Sequence, residues 1–316
     1  MRILVTGGLG FIGSALVRHF FEKGYEVTIL TRNTEKAFRV RDIADGVTFA
    51  VKSICSINEK DVDGYDYVFH CASTVDNYNI LDAPYADAEV NVIGTTALLE
   101  AIRKSKVRPT LVYTSSFFVN GNPEALPVTE HMKENPLGTY GATKLAAEHC
   151  IKAYARVFGI KAKIARLSNV FGIGEQVHNN KKAAFNRMVW LAVSDQAIKL
   201  YDNGRVKRDY IYIDDVVSAL EAIAYQGEEC TDKLYCVGRG EGVALRTMVD
   251  MILRHTRPFG RVEIVEPPKF HKDVGIGDFW YDISDTRALG WAPEVCIEEG
   301  IRRVAERYLI EVLHDK

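Results

Sequence analysis

Residues 1–20 read MRILVTGGLGFIGSALVRHF, and this stretch predicts the first three parts of the fold. Ile3–Val5 is a short apolar run of the kind found in buried strands. From Gly13 to Lys23 apolar residues recur at helical spacing, and Gly24 follows as a typical end of a helix. A strand, a glycine-rich loop and a helix are therefore expected in close succession.

The loop between that strand and helix, TGGLGFIG, fits two registers of one glycine pattern, starting at Gly7 or at Gly8. In either register one glycine makes a tight turn, and a second lets backbone N–H groups approach a pyrophosphate. The last lets the helix pack close to the strand, and the helix N-terminus then faces the phosphate charge. The loop predicts a bound dinucleotide, contacted by Gly7, Gly10, Phe11, Ile12 and Gly13.

Short apolar strands continue to alternate with helices through the first half of the chain. The predicted strands are Val27–Leu30, Tyr67–His70, Thr110–Thr114 and Lys163–Leu167, and the predicted helices are Asn91–Ser105 and Tyr140–Phe158. This alternation is typical of βαβ units. We predict an α/β fold, a Rossmann-type doubly wound parallel sheet with a smaller mixed α/β C-terminal lobe. The expected domains are 1–170 for the cofactor and 171–316 mainly for the substrate, with a segment near 205–228 returning to the first.

The composition excludes several functional classes. The chain is 47% hydrophobic and 26% charged with a formal net charge of -2, which is ordinary for a globular enzyme. No basic run supports nucleic-acid binding, and the longest apolar runs are too short to cross a membrane. Six scattered cysteines and no leader pattern predict reduced thiols and a cytoplasmic protein. The eight histidines show no metal-ligand spacing, so we expect no metal site.

The segment TYGATKLAAEH places Tyr140 and Lys144 four residues apart, on one face of a predicted helix. A phenol titrates near pH ~10, and a nearby ammonium lowers its pKa. Such a tyrosine can exchange a proton with a carbinol or carbonyl while a nicotinamide exchanges the hydride. The segment VYTSSFFVNG adds hydroxyls where a strand ends and ligands bind in parallel sheets: Thr114, Ser115 and Ser116.

In order and spacing, the glycine loop, these serines and Tyr140-x-x-x-Lys144 resemble an extended short-chain dehydrogenase/reductase. The nearest branch is the nucleotide-sugar epimerase/dehydratase group. The similarity continues through VFHCAS, NVIGTTALLEA, RLSNVFGIG, GRVKRDYIYIDDVVSAL and YDISDTRALGWAPEVCIEEGI. It implies an enzyme that acts on a nucleotide-diphosphate sugar. It also implies a homodimer, paired through the helix after DAEVNV and the helix that bears Tyr140.

The resemblance further implies roles for single residues. Tyr140 is the expected catalytic acid/base, and Lys144 is expected to support it while holding the nicotinamide ribose. Ser116, three residues before Val119, is expected to hydrogen bond the reacting oxygen, with Ser115 as the neighbour most easily confused with it. Diphosphate contacts are expected from Asn169 and Arg208, and from Lys272 or His271 where the family has a second arginine. Candidates for base recognition are Asn179, Asn180 and Lys181.

The two residues after Ser116 bear on the reaction. They are Phe117 and Phe118, where the 4,6-dehydratases and decarboxylases of the family have acidic residues and the fucose-synthase type has a cysteine. Phenyl rings cannot transfer protons. Hydride transfer remains, most simply at C4 of the sugar. A 4-ketosugar reductase would consume its cofactor at each turnover, whereas a 4-epimerase would keep NAD bound and return the hydride to the other face.

The end of the second strand bears on the cofactor. Thr31 and Arg32 occupy the place where an acidic residue would hold the ribose 2′-hydroxyl of NAD. With Thr31 and Arg32 there, no carboxylate repels a 2′-phosphate, and the Arg32 guanidinium can pair with it. The adenine-contacting acid of the family is Ser53 here, followed by Ile54. These residues favour NADP over NAD and the reductase over the epimerase. A reductase of non-sugar carbonyls and a non-catalytic NADP sensor are less favoured, since KRDYIYIDD and the catalytic pair are present.

Overall fold

The computed structural model of the chain describes residues 1–74, 83–175, 177, 184–226, 233–256 and 261–314. The strands are β1 Arg2–Thr6, β2 Glu26–Thr31, β3 Thr48–Val51, β4 Tyr67–His70, β5 Thr110–Ser116, β6 Ala162–Leu167, β7 Asn169–Phe171, β8 Ile198–Tyr201, β9 Lys207–Arg208, β10 Tyr210–Tyr212, β11 Leu234–Val237, β12 Val243–Ala244 and β13 Val262–Val265. The helices are α1 Phe11–Glu22, α2 Pro84–Asp87, α3 Gly94–Lys104, α4 Thr139–Phe158, α5 Ala184–Val193, α6 Ile213–Gln226, α7 Leu245–His255, α8 Lys269–Val274, α9 Ser284–Arg287 and α10 Ile297–His314. A π-helical turn, Ala88–Ile93, joins α2 to α3.

Seven parallel strands form the central sheet, in the order β11-β6-β5-β4-β1-β2-β3. Ile3 of β1 lies opposite Val27 on one side and Tyr67 on the other. Ile3, Leu4 and Val5 are all fully buried, which is typical of a parallel strand covered on both faces. The chain runs from β1 to one edge and then returns to build β4, β5 and β6 on the other side. The strand order therefore reverses between β1 and β4, and a crevice opens at their carboxyl ends.

Helices complete the layers around this sheet. Helix α1 packs beside α6, and α3 packs beside α4. The α/β class and the doubly wound parallel sheet predicted from the sequence are confirmed.

Beyond residue 170 the chain also forms smaller pairs of strands. Strand β10 lies parallel to β7, β13 lies parallel to β8, and β12 lies antiparallel to β9. Helix α10 packs against α5 and α7, whereas α6 contacts α1, β5 and β6. Strand β11 also lies in the large sheet, beside β6, outside the segment expected to return there. The division into domains at residue 170 stays a prediction.

Two elements near the crevice differ from their predicted bounds. The helix expected over Asn91–Ser105 starts earlier, as α2 and the π-helical turn that precedes α3. Such turns are rare in proteins, and those that occur are frequently found at functional sites. Strand β5 continues past Thr114, so that Ser115 and Ser116 still pair with β6. The predicted hydroxyls therefore stand on a sheet strand and not on a loose loop.

Candidate active site

The glycine loop after β1 packs against the end of β4. Gly7 has a φ of +68°, and a Cβ there would lie 2.7 Å from the backbone nitrogen of Ala72. A Cβ on Gly13 would collide with the carbonyl oxygen of Gly7. Only glycine fits these two positions, because one needs left-handed backbone and both need close backbone approach. The loop is thereby held at the crevice between β1 and β4.

Helix α1 begins directly after this loop and leaves its N-terminus open. Gly10 is the N-cap and has no side chain to cap the helix. The first helical hydrogen bond runs from Ser14 N to Gly10 O at 2.9 Å, so the N–H groups of Phe11, Ile12 and Gly13 have no helical carbonyl to bind. Open N–H groups and the positive end of the helix dipole fit a pyrophosphate. These residues can therefore hold a dinucleotide, and their contact with one stays a prediction.

No carboxylate stands at the end of β2, where the ribose of a dinucleotide is expected. The Thr31 hydroxyl donates to the carbonyl of Asn33 at 2.7 Å, and Arg32 is exposed. Ser53 caps a 3₁₀ turn after β3, and Ile54 is buried. This edge of the site is therefore polar and carries positive charge.

The two serines that end β5 have different partners. Ser115 donates its hydroxyl to the Glu148 carboxylate at 2.5 Å. Ser116 accepts a long hydrogen bond from the N–H of Phe118 at 3.4 Å and lies within hydrogen-bonding reach of the Tyr140 phenol. Neighbouring side chains on a strand point to opposite faces. The structure therefore brings Ser116, and not Ser115, to Tyr140.

Tyr140 lies in the first turn of α4 and is 8% exposed. Burial raises the pKa of its phenol to about 12. Hydrogen bonds with Ser116 and Ser73 oppose this rise, and the negative charge of Asp87 adds to it. A phenol between two hydroxyls can exchange a proton with a substrate oxygen placed there.

Lys144 lies one turn further along α4, and its ammonium lies at the end of β5. Its Nζ donates to the carbonyl of Thr114 at 2.6 Å and lies 4.4 Å from the centre of the Tyr113 ring. Burial lowers the pKa of this ammonium to about 8. Burial is the largest influence on the Tyr140 phenol and raises its pKa, so the expected lowering by Lys144 stays a prediction.

Several buried polar side chains that sequence analysis did not single out surround the same turn of α4. Asp87 accepts hydrogen bonds from the Thr74 hydroxyl at 2.6 Å and from the Thr139 hydroxyl at 2.8 Å. Asn91, in the π-helical turn, accepts one from the Ser73 hydroxyl at 2.8 Å. Ser73 lies in the segment VFHCAS, and Asp87 and Asn91 lie in the segment DAEVNV. Their polar residues resemble surface residues in the sequence, and only packing against α4 buries them.

Asn169 and Arg208 lie close together, on either side of a contact with Asp209. The Asn169 side-chain amide donates to the carbonyl of Asp209 at 3.2 Å. The Arg208 guanidinium donates to the carbonyls of Ile276 and Gly277, and burial lowers its pKa. The structure thus brings the two residues close together, with Arg208 already held by backbone carbonyls.

Of the two candidates for a further diphosphate contact, Lys272 is the more exposed, and His271 is packed against a neighbouring ring. Lys272 is 58% exposed and lies 3.5 Å from Glu266 on the surface. His271 packs against the Tyr201 ring with centroids 4.9 Å apart. Burial lowers the pKa of His271, and the charge of Arg208 lowers it further. The proposed base contacts Asn179, Asn180 and Lys181 lie outside the described residues.

The two phenylalanines after Ser116 have separate surroundings. Phe117 is 6% exposed and packs on Phe279 with centroids 5.2 Å apart. The Phe118 ring lies edge-on to Tyr140 at 5.8 Å. Phe117 therefore belongs to the core, whereas Phe118 forms a wall of the site without acid/base capacity.

Other acidic residues of the same motifs have structural partners. Asp209 accepts hydrogen bonds from three backbone N–H groups, including that of Arg239 at 2.7 Å. Asp215 accepts one from the N–H of Glu294 at 2.8 Å. Within the described ranges, no group of three or more His, Cys, Asp or Glu residues could hold a metal ion. In the same ranges no helix has the length and apolar character needed to cross a membrane.

Comparisons with known proteins show the family to which the chain belongs. The model of the NAD dependent epimerase/dehydratase family matches residues 3–238. A putative UDP-glucose 4-epimerase of Methanocaldococcus jannaschii is 32% identical over 307 residues, which cover 96% of this chain and 96% of that protein. The crystal structure of a UDP-glucose 4-epimerase from Thermotoga maritima with UDP-glucose has a TM-score of 0.88 at 27% identity, over 99% of this chain and 100% of that one. The UDP-glucose 4-epimerase of Thermus thermophilus, solved with NAD, has a TM-score of 0.85 at 27% identity, over 98% and 99% of the two chains. This chain therefore belongs to the NAD dependent epimerase/dehydratase family.

Proposed function

We propose that the protein is a nucleotide-sugar 4-epimerase that interconverts UDP-glucose and UDP-galactose. The observation that carries the proposal is the Tyr140 phenol beside the Ser116 hydroxyl, at the crevice that the open end of α1 faces. The absence of any acid/base group at Phe117 and Phe118 limits the chemistry to hydride transfer. The activity named for the three similar proteins also supports epimerisation over the reduction favoured by the sequence argument.

In the proposed reaction, Tyr140 takes the proton of the C4 hydroxyl and later returns one to the C4 carbonyl oxygen. Ser116 donates a hydrogen bond to the same oxygen, which strengthens as negative charge develops. NAD, with its pyrophosphate held at the N-terminus of α1, would supply the acceptor and donor of the hydride at C4. Epimerisation needs no second proton-transfer group, because Tyr140 and Ser116 act on the C4 oxygen both before and after the sugar turns.

A sugar that turns over during the reaction must remain held by its nucleotide. Asn169 and Arg208 are the proposed anchors of the diphosphate. Arg208 now donates to the carbonyls of Ile276 and Gly277. Phosphate oxygens are stronger acceptors of a guanidinium than neutral carbonyls. Binding would therefore exchange these partners for the diphosphate.

For the cofactor we propose tightly held NAD. The Thermus thermophilus epimerase was solved with NAD, whereas Thr31 and the exposed Arg32 favour NADP. This dipeptide is also the observation that supports the second candidate, a 4-ketosugar reductase using NADPH. The two functions differ in the fate of the cofactor, because the epimerase retains NAD whereas the reductase consumes NADPH.

The test is conversion of UDP-galactose to UDP-glucose by purified protein without added cofactor. We expect turnover, and we expect mass spectrometry of the denatured protein to find NAD. Tyr140→Phe is the control, because it keeps the ring and removes the proton donor. Bound NADP, with NADPH consumed on a 4-keto sugar nucleotide and no epimerisation, would establish the reductase instead.

A further inference from the structure

Asp87 is a buried carboxylate beside the proposed acid/base that the proposed mechanism does not use. It ends α2 and is 0% exposed. An ionised group is seldom buried unless hydrogen bonds compensate for the water that it loses. The partners of Asp87 therefore indicate what it holds in place.

Two of the partners of Asp87 come from separate segments of the chain. The Thr74 hydroxyl, four residues after the end of β4, donates to Oδ1 at 2.6 Å. The Thr139 hydroxyl donates to Oδ2 at 2.8 Å, and Thr139 directly precedes Tyr140 in the first turn of α4. Asp87 thus ties the segment after β4 to the turn that carries the phenol.

A second connection makes the tie specific for Tyr140. The Ser73 hydroxyl, next to Thr74, donates to Asn91 at 2.8 Å and lies within hydrogen-bonding reach of the Tyr140 phenol. The hydroxyl of Thr143 donates to the carbonyl of Tyr140 at 3.0 Å. A shift of Thr74 would therefore move a direct neighbour of the phenol.

Charged and titratable groups surround the first turn of α4, and each element that packs against this turn contributes some of them. Among the described residues they are Lys144 and Glu148 from α4, Tyr113 from β5, His70 and Cys71 from the end of β4, and Asp87 from α2. Lys144 is held at the carbonyl of Thr114. Asp87 is the member of this set whose charge acts against ionisation of the phenol.

We propose that Asp87 is a positioning residue for Tyr140, which holds the first turn of α4 against the segment after β4 through Thr74 and Thr139. Its negative charge also favours the neutral phenol over the phenolate. For catalysis the inference rests on the proposed epimerisation.

The first test compares Asp87→Asn with Glu89→Gln in the purified protein with its cofactor. The Asn keeps the shape of the side chain and removes its charge. Glu89 lies two residues away, but its side chain is exposed, so water screens its charge. With UDP-galactose as substrate, we expect the rising limb of the kcat–pH profile to move down by about half a pH unit in Asp87→Asn, a roughly three-fold rate change on that limb. Glu89→Gln should leave it unmoved, and an unmoved limb in Asp87→Asn would overturn the proposal.

The second test removes one side of the tie without changing any charge. Thr139→Val should lower kcat about ten-fold through misplacement of the phenol, with KM for UDP-galactose and the pH limb unchanged. Thr139→Ser keeps the hydroxyl and should restore kcat. A Thr139→Val protein with unchanged kcat would contradict the positioning role, and this pair serves even if Asp87→Asn does not fold.

A third measurement does not depend on turnover. The phenolate absorbance of the protein with its cofactor is titrated in the Asp87 and Asp87→Asn proteins, each with and without Tyr140→Phe. The difference within each pair isolates Tyr140 from the other tyrosines. Ionisation should occur at lower pH after Asp87→Asn. This result would stand even if UDP-sugars proved not to be substrates, whereas an unchanged titration would refute the effect of the charge.

Discussion

Two ionisable side chains within one turn of α4 show how the site is built residue by residue. Burial raises the pKa of Tyr140 to about 12 and lowers the pKa of Lys144 to about 8. Each shift favours the neutral form, since a buried charge loses its hydration. A positive group bound next to the phenol would favour the phenolate. The proton chemistry at Tyr140 therefore depends on what is bound at the crevice.

Lys144 should give the protein a measurable dependence of stability on pH. Its folded-state pKa of about 8 lies below the ordinary lysine value of 10.5, so between these values the unfolded chain binds more protons and stability rises with pH. We expect Lys144→Met to raise the free energy of unfolding by about 2–3 kcal/mol below pH 8. This gain should shrink as the pH approaches 10.5, in urea unfolding of both proteins. A gain that does not change with pH would contradict the buried ammonium.

The separate partners of the two serines predict separate effects. Ser116→Ala should lower kcat about 10–100-fold, because it removes a hydrogen bond to the reacting oxygen. Ser115→Ala should leave kcat within about two-fold and reduce stability by about 1–3 kcal/mol, because it removes a partner of the buried Glu148. Steady-state kinetics and unfolding of the two variants test this. Equal losses of kcat would show that the serines have been assigned wrongly.

At the level of elements, the cofactor site depends on how closely α1 approaches β1 and the end of β4. The approach is set by backbone atoms, since a Cβ on Gly7 or Gly13 would meet backbone and not a movable side chain. The π-helical turn Ala88–Ile93 has a comparable effect on the substrate side, where it directs Asn91 toward Ser73. Both features place polar groups at one crevice.

Two glycines allow this approach to be separated from simple backbone strain. Gly13→Ala would drive a methyl group into the Gly7 carbonyl, so we expect NAD affinity to fall at least about ten-fold. Gly159 follows α4 with a φ of +63°, and a methyl group added there would meet no other atom within 4 Å. Gly159→Ala should cost about 1 kcal/mol of stability and leave NAD affinity unchanged. Calorimetric titration with NAD measures both, and equal affinities would count against the assigned loop.

At the level of the whole molecule, the doubly wound topology joins segments that are far apart in the chain. The glycine loop, the end of β4, the end of β5 and the first turn of α4 meet because strands β1, β4 and β5 are neighbours in the sheet. Arg166 of β6 connects the sheet to α4 through a buried ion pair with Glu148, with nitrogen and oxygen 2.7 Å apart. The site is thus anchored on the sheet rather than on loops alone.

The homodimer stays a prediction, and it concerns the outer surface of the same helices. Ile93, at the end of the π-helical turn, is 50% exposed, and Val157 near the end of α4 is 69% exposed. Light scattering after size exclusion at low micromolar concentration should give twice the chain mass. Ile93→Asp should weaken the dimer, whereas Ile264→Asp, on an equally exposed residue of β13 (55%), should not. A monomeric parent protein would refute the prediction.

Much of this arrangement follows from local pattern. The strand–glycine–helix opening, the strands through Leu167 and the helix with Tyr140 have apolar periods and end signals that are visible in short windows. The resemblance to a known family extended the fold prediction to most of the chain, and the match of the family model to residues 3–238 confirms the family. The cofactor preference depends on only two residues, Thr31 and Arg32, at an exposed edge of the site. The comparisons support NAD more than the NADP that these residues favour.

The fold class and the family follow from the amino-acid sequence alone, because both depend on periodicity and on residue types at fixed spacing. The tertiary structure was needed to place Lys144 at the carbonyl of Thr114 and to bury Asp87 near Tyr140. Those outcomes depend on strand register, on a π-helical turn and on burial, which bring together groups from distant parts of the chain. Burial also sets the sign of the pKa shifts at Tyr140 and Lys144, and no spacing of residues in a sequence measures it.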